Sequence, residues 1–152
     1  MSTVIVRRAV AADLAAIVGL LADDPLGASR EDASLPLDGR YIAAFAAIEA
    51  DPNQLLVVAE AGHSIVGCLQ VTFVPGVSRK GTWRGTIEGV RVARGRRGGG
   101  IGREMVLFAI EACRRRGCGL VQLTTDKSRA DALRFYEDLG FVASHEGLKL
   151  AL

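Results

Sequence analysis

The residues of this chain whose type and spacing most plainly suggest chemistry are Arg97-Gly98-Gly99-Gly100-Ile101-Gly102-Arg103. Four of the five residues from Gly98 to Gly102 are glycine, set between a run that reads as a strand and a run that reads as a helix. Glycine leaves no side chain to hold a ligand off the backbone, and the first amides of a helix have no internal acceptor. Those donors, with the positive end of the helix dipole, make an anion site suited to phosphate. Arg94, Arg96, Arg97 and Arg103 add charge around it. A flexible surface turn with solvated arginines is the plainer alternative. A turn needs one glycine, however, and four cost backbone entropy.

The type of phosphate ligand can be narrowed. A nucleotide P-loop requires Gly-Lys-Ser/Thr, whereas Gly102 is followed by Arg103-Glu104. The stretch Gly100-Ile101-Gly102-Arg103-Glu104-Met105 carries two of the three glycines of a dinucleotide fingerprint, and Asp126 ends the following strand where a ribose-binding acid would lie. Met105 stands at the third glycine, and the motif follows an antiparallel meander instead of opening the chain. Both points argue against a dinucleotide.

The bulk properties exclude other classes. A chain of 152 residues suits one domain, spanning 1–152, and 49% hydrophobic with 24% charged residues is globular composition. The net charge of +2 gives no ground for a nucleic-acid or membrane partner. No aromatic residue interleaves the arginines between Arg91 and Arg103, as stacking on single strands would require. Cys68, Cys113 and Cys118 are an odd set with no CxxC, so neither a disulfide framework nor a metal site is expected. The N-terminus has no signal-peptide core, and no apolar run approaches the ~18 residues of a membrane span. A cytoplasmic location is expected.

The elements that must position the glycine segment follow from periodicity. Val4–Arg8 reads as a strand. Leu14, Ile17, Val18 and Leu21 form the stripe of an amphipathic helix, with Asp13 at its start, and Asp24-Pro25 ends it. A loop covers Gly27–Asp38, and a second helix runs from Gly39 to Glu49. Leu55–Ala61 and Ile65–Val74 are β-branched runs joined by Gly62-His63-Ser64, a hairpin, and Thr82–Val92 is a third strand. After the glycines, Ile101, Met105, Phe108, Ile110, Ala112 and Cys113 line one face of a helix that Gly117 and Gly119 end. Leu120–Thr125 is a strand, Ala130–Leu139 a short helix, and Phe141–Ser144 with Leu148–Leu152 two last strands. A meander followed by a β-α-β crossover requires the strands at Thr86–Val92 and Leu120–Thr125 to be parallel.

With these residues in place, Val92 followed by Arg97-Gly98-Gly99-Gly100-Ile101-Gly102 resembles motif A, Arg/Gln-x-x-Gly-x-Gly/Ala, of the GCN5-related N-acetyltransferases (GNAT). Ala132-Leu133-Arg134-Phe135-Tyr136-Glu137-Asp138-Leu139-Gly140-Phe141 resembles that family's Ala-x-x-x-Tyr-x-x-x-Gly-Phe segment. The element order fits over essentially the whole chain. The resemblance implies an α/β fold of α+β type, a mixed and mostly antiparallel sheet flanked by helices, with a central parallel β4–β5 pair that splays apart. It implies acetyl-CoA as acyl donor, no metal, and a small-molecule or protein amine as acceptor, attacked directly in a ternary complex. A homodimer through the two C-terminal strands is consistent with it. A catalytically silent acyl-CoA-binding or regulatory domain is the alternative.

Carried over residue by residue, the resemblance gives the backbone of Val90, Arg91 and Val92 to the pantetheine arm, and the amides of Arg97, Gly98, Gly99, Gly100, Ile101, Gly102 and Arg103 to the pyrophosphate. Tyr136 matches the general acid; a phenol with an ordinary pKa of ~10 stays protonated and can give its proton to the departing thiolate. Glu88 matches the position of an acid that deprotonates the amine through water, and simple alternation puts it on one face with Val90 and Val92. Arg129 stands where many relatives carry a cofactor-contacting asparagine, and a CoA phosphate is its implied partner. His63 and His145 are weaker candidates for a base. Asp23, Asp24, Arg30, Glu31, Asp32 and Trp83 near the acceptor side are a mixed set, and the charges read as solvated loop charge.

Overall fold

Alternation along the middle strands sets the layers. In β2 (Gln54–Ala61), Leu55, Val57 and Ala59 join one buried cluster while Leu56 and Val58 join another on the opposite face. A strand buried on both faces must have helices on both faces, and it does. The computed structural model describes residues 3–152. Its sheet has the order β1-β2-β3-β4-β5, with β1 (Val4–Arg8), β3 (Ser64–Val74), β4 (Arg84–Val92) and β5 (Leu120–Leu123) completing it. The first three pairings are antiparallel and β4–β5 is parallel.

On one face lie α1 (Leu14–Ala22) and α2 (Gly39–Ala50), whose Ile17 and Phe45 pack on Leu56, Val58 and Cys68. The short turn α3 (Ser78–Gly81) links β3 to β4. On the other face lies α4 (Ile101–Arg115), with Tyr136 of α5 (Ala130–Asp138) in the same cluster. The buried stripe of α4 is Ile101, Met105, Val106, Ala109 and Cys113. Phe108, expected inside, sits at the edge of that stripe and is half exposed, because the 100° step per residue turns it away from the line through Met105 and Ala109. Gly67 makes the close approach of α4 to β3 feasible, since a Cβ there would lie 2.8 Å from Met105 Cε. Among the described residues no helix is long and apolar enough to cross a membrane.

Two departures from the sequence expectation matter for the site. The first is a bulge. Cys68 of β3 pairs with Arg91, but Gln70, two residues on, pairs with Glu88, three residues back. The extra residue falls at Gly89–Val90, and Gly89 has φ 63, the left-handed conformation that lets a strand make this kink. Alternation therefore breaks between Glu88 and Val90. Glu88 shares the α1 face with its partner Gln70, whereas Val90 and Val92 pack against the cluster under α4. They do not share a face, as simple alternation had suggested.

The second concerns the C-terminus. Neither Phe141–Ser144 nor Leu148–Leu152 forms a strand. Val142, Leu148, Leu150 and Leu152 are exposed, so the period-2 pattern is present without a neighbouring strand to receive its hydrogen bonds. As a result the parallel β4–β5 pair lies at the edge of the sheet, not at its centre.

Gly89→Ala tests the bulge. The nearest atom to a Cβ there would be Leu21 Cδ2 at 3.9 Å, so the penalty is conformational and not steric. The expected loss of stability is about 1–2 kcal/mol, read as a lower urea midpoint. An unchanged midpoint would show that the bulge accepts a side chain.

Candidate active site

The parallel pairing of β4 and β5 covers only Arg84–Ile87 and Leu120–Leu123. Beyond it, residues 88–92 have β3 on one side and no strand on the other. Ala93 donates its N–H to Val66 O on β3, at 2.8 Å. By alternation along the strand, Val92 and Val90 present their N–H and C=O groups to the open side. A linear ligand laid there would run along strand backbone as an added strand does, once Val90 O and Val92 O, which accept from Arg91 and Arg97, are released.

The same opening is closed at its far end by the glycine segment. Gly98 and Gly100 adopt φ 79 and 86, and Gly100 is the N-cap of α4. The first intrahelical bond runs from Glu104 N–H to Gly100 O at 3.0 Å. The amides of Ile101, Gly102 and Arg103 therefore point out of the helix start without helical acceptors. Gly102 packs beside Val92 and Phe135, which ties the helix start to β4 and α5. Arg96, Arg97 and Arg103 are exposed around this end. Arg97 donates from Nε to Val92 O at 3.1 Å, while Arg94 is paired with Asp23 at 3.0 Å. Free amides, a helix dipole and exposed guanidinium groups beside an open strand edge fit a pyrophosphate joined to an extended arm, which is the chemistry of acetyl-CoA.

Tyr136 lies in the cluster against which Val90 and Val92 pack. It is 9% exposed, with Phe135 and Phe141 meeting its ring edge-on at 5.0 and 5.8 Å between centroids. Burial pushes its phenol above the ordinary value, against the opposing pull of the Arg91 and Arg129 charges. The hydroxyl is thus held protonated at neutral pH and available as a donor. Glu88 is exposed on the opposite face of β4, in contact with solvent.

The sequence left Asp24 among the solvated loop charges, and the structure corrects this. Asp24 is 7% exposed. Its Oδ2 accepts from Arg129 Nη2 at 2.6 Å, from Gly27 N–H at 3.1 Å and from Arg91 Nη2 at 3.4 Å. Burial works against its charge, but the Arg129 hydrogen bond and then the charges of Arg91 and Arg129 outweigh it and hold the carboxyl below its usual value. Arg91 also donates from Nη1 to Val90 O at 2.8 Å, and its Nε is buried without a partner among the described residues. No local pattern marks Asp24, since its two arginine partners are 67 and 105 residues away. Arg129, implied as a phosphate ligand, is here committed to Asp24. His63 lies at the tip of the β2–β3 hairpin, and His145 hydrogen-bonds Ser144 in the C-terminal segment.

The thiols are poorly suited to nucleophilic work. Burial raises Cys68 and Cys113 to about 12. Cys68 lies under the bulge, 3.7 Å from Gly89 O. A thiol held so far from ionisation carries almost no thiolate at neutral pH.

Comparison with known proteins agrees with the fold. Residues 18–141 match the family model described as Acetyltransferase (GNAT) family. The solved structure of a transcriptional regulator from Bacillus halodurans C-125 is 54% identical with a TM-score of 0.97, covering 99% of this chain and 100% of that one. A glucosamine 6-phosphate N-acetyltransferase from Trypanosoma brucei brucei is 35% identical over 88 residues, 58% of each chain. An aminoalkylphosphonate N-acetyltransferase from Salmonella typhimurium is 33% identical over 101 residues, 66% of this chain and 65% of that one. The chain thus spans less than two thirds of the length of either curated relative.

Thiol accessibility gives a direct check. Alkylation of the native protein near neutral pH should modify the half-buried Cys118 first, with Cys68 and Cys113 reacting only on unfolding. Mass spectrometry that found Cys68 modified as fast as Cys118 would contradict the burial of the bulge.

Proposed function

The chain belongs to the Acetyltransferase (GNAT) family, and from that premise we propose that it transfers the acetyl group of acetyl-CoA to a primary amine by direct attack in a ternary complex. The observation that carries this reading is the unpaired β4 edge at residues 88–92, which meets the free amides of α4 and packs Val90 and Val92 against the cluster that holds the buried Tyr136. Acetyl-CoA, when bound, supplies an activated acetyl thioester. The amides of Arg97 to Arg103 would hold its pyrophosphate, and the outward backbone groups of Val90 and Val92 its extended arm. Arg97 would exchange Val92 O for a phosphate.

Two proton movements remain for the side chains. Tyr136 gives its hydroxyl proton to the departing sulfur, which its burial favours by keeping the phenol neutral until that moment. Glu88, on the opposite and solvent-facing side of the bulge, takes a proton from the substrate ammonium through water and so frees the neutral amine to attack the thioester. Direct attack is supported by the inert state of Cys68 and Cys113.

The acceptor we propose is a small molecule carrying a phosphate or phosphonate beside its amine. The names of both curated relatives support this, as a glucosamine 6-phosphate and an aminoalkylphosphonate acetyltransferase. Free thiols and a thioester donor suit a reducing compartment, so the proposed setting is the cytoplasm. A second reading, a regulatory domain that binds acyl-CoA without turning it over, is favoured by one observation: the solved structure at 54% identity is called a transcriptional regulator. We also propose a homodimer in which the exposed Leu148, Leu150 and Leu152 of each copy are covered by the other.

Release of free CoA should rise above the hydrolysis background with glucosamine 6-phosphate or an aminoalkylphosphonate, and less with amines lacking the anion. Saturable acetyl-CoA binding with no release for any amine would favour the regulatory reading instead. Tyr136→Phe should lower kcat by roughly 10²–10⁴ with acetyl-CoA affinity nearly intact; an unchanged kcat would remove Tyr136 as the acid. Deleting residues 148–152 should convert a dimer to a monomer in sedimentation equilibrium. A full-length chain that already sediments as a monomer would end the dimer proposal.

A further inference from the structure

Asp24, Arg91 and Arg129 come together from three distant places. Asp24 follows α1, Arg91 lies on β4 beyond the bulge, and Arg129 is the N-cap of α5. A single carboxylate oxygen receives both guanidinium groups and the Gly27 amide. The side chains of Arg91 and Arg129 are 15% and 29% exposed, so solvent screens the cluster only in part.

Arginine is a poor N-cap. It cannot accept from the first amides of the helix, its charge opposes the dipole, and Arg129 makes no capping bond. A residue that its own helix disfavours is held in place by something else, and here that partner is Asp24. The pairing ties the start of α5 to the loop after α1 and, through Arg91, to the bulged end of β4. It does so at the mouth of the opening where β4 and β5 part. Tyr136 lies two helical turns further along α5, on the same side as Arg129. Where the start of α5 sits decides where the phenol sits.

We propose that Asp24 is a positioning residue: by clamping Arg91 and Arg129 to one point it holds α5, and with it the Tyr136 hydroxyl, against the bulged end of β4. This rests on the assignment of Tyr136 as the acid in acetyl transfer. Asp24 touches no reacting group and acts through the two arginines. The clamp also has a consequence for charge. Arg91 from β4 and Arg129 from the start of α5 are the charges acting on the phenol, and both favour its ionised form. Phe135 and Phe141 contribute only aromatic edges and faces. The carboxylate of Asp24 is ion-paired with both arginines and carries the opposite charge. Removing its carboxylate leaves two uncompensated cations near the phenol, whereas removing Arg129 takes one cation away. The two changes push the ionisation of Tyr136 in opposite directions, which loss of packing alone would not do.

The chain has two tyrosines, so tyrosinate absorbance corrected with Tyr136→Phe reports Tyr136 apart from Tyr41. Asp24→Asn should lower the titration midpoint of Tyr136, and Arg129→Gln should raise it. The alkaline limb of kcat should move the same way in each variant. In both, kcat should fall about tenfold or more while KM for acetyl-CoA stays within about threefold. Midpoints that stay put, or move together, overturn the proposal. So does an Arg129→Gln variant whose one effect is a higher KM for acetyl-CoA, the mark of a direct phosphate contact. If Asp24→Asn does not fold, Arg129→Gln and Arg91→Gln must both raise the midpoint for the proposal to stand. The absorbance titration needs no substrate. A chain that acetylates no amine would count against the acetyl-transfer reading, and the midpoints would still decide the charge linkage of Asp24.

Discussion

The rest of the structure depends on where β4 stops pairing with β5. Four residues of each strand are joined, and then the pair ends at Ile87 and Leu123. Hydrogen bonding to β3 continues along β4 to Val92, so one strand is fully paired on one side and open on the other. The bulge at Gly89 makes this arrangement possible. An extra residue on β4 increases its local twist and bends it away from a straight neighbour. An open strand edge is ordinarily a liability, since it invites unwanted pairing. Here it is short and met at its end by a helix start, which suits it to the extended anionic ligand proposed for it.

The bulge also divides the chemistry. Because it breaks alternation, Glu88 and Val90 project to opposite faces of the sheet. On one face is an exposed carboxylate, Glu88. On the other, beneath α4 and α5, is a phenol held among aromatic rings and kept neutral by burial. One inserted residue thus puts an exposed carboxylate and a buried cluster on opposite faces of the same strand.

Charge then joins what the bulge separates. The opening between β4 and β5 has no hydrogen-bonded ladder to hold its sides at a fixed distance. The Asp24 carboxylate, with a guanidinium from each side, spans it instead. A buried ion pair is seldom a large source of net stability, because desolvation offsets much of the attraction. Its value at this position is directional: the acceptor oxygen fixes where two long side chains end, and so fixes the elements that carry them.

Much of this was legible in the sequence because its causes are local. Strand alternation in β2 and β3, the stripe of α1, the glycines before α4 and the Ala-to-Phe segment around Tyr136 each need only a few adjacent residues to express their preference. The free amides at the start of α4 were legible for the same reason, since helix amides are free wherever a helix begins. What escaped depends on partners distant in sequence. The apolar alternation of residues 141–152 promised strands, but a strand exists only against a neighbour, and none receives it. Simple alternation places Glu88 on the face of Val90, but one inserted residue reverses the side chains beyond it, and the bulge shows only in the pairing with β3. Asp24 read as loop charge because nothing near it announces Arg91 or Arg129. The sequence by itself determined the elements and the glycine-led start of α4, through short-range sterics and periodicity. Only the tertiary structure decided which face each β4 side chain takes and which charges meet, because register and ion pairing are set between segments the chain brings together on folding.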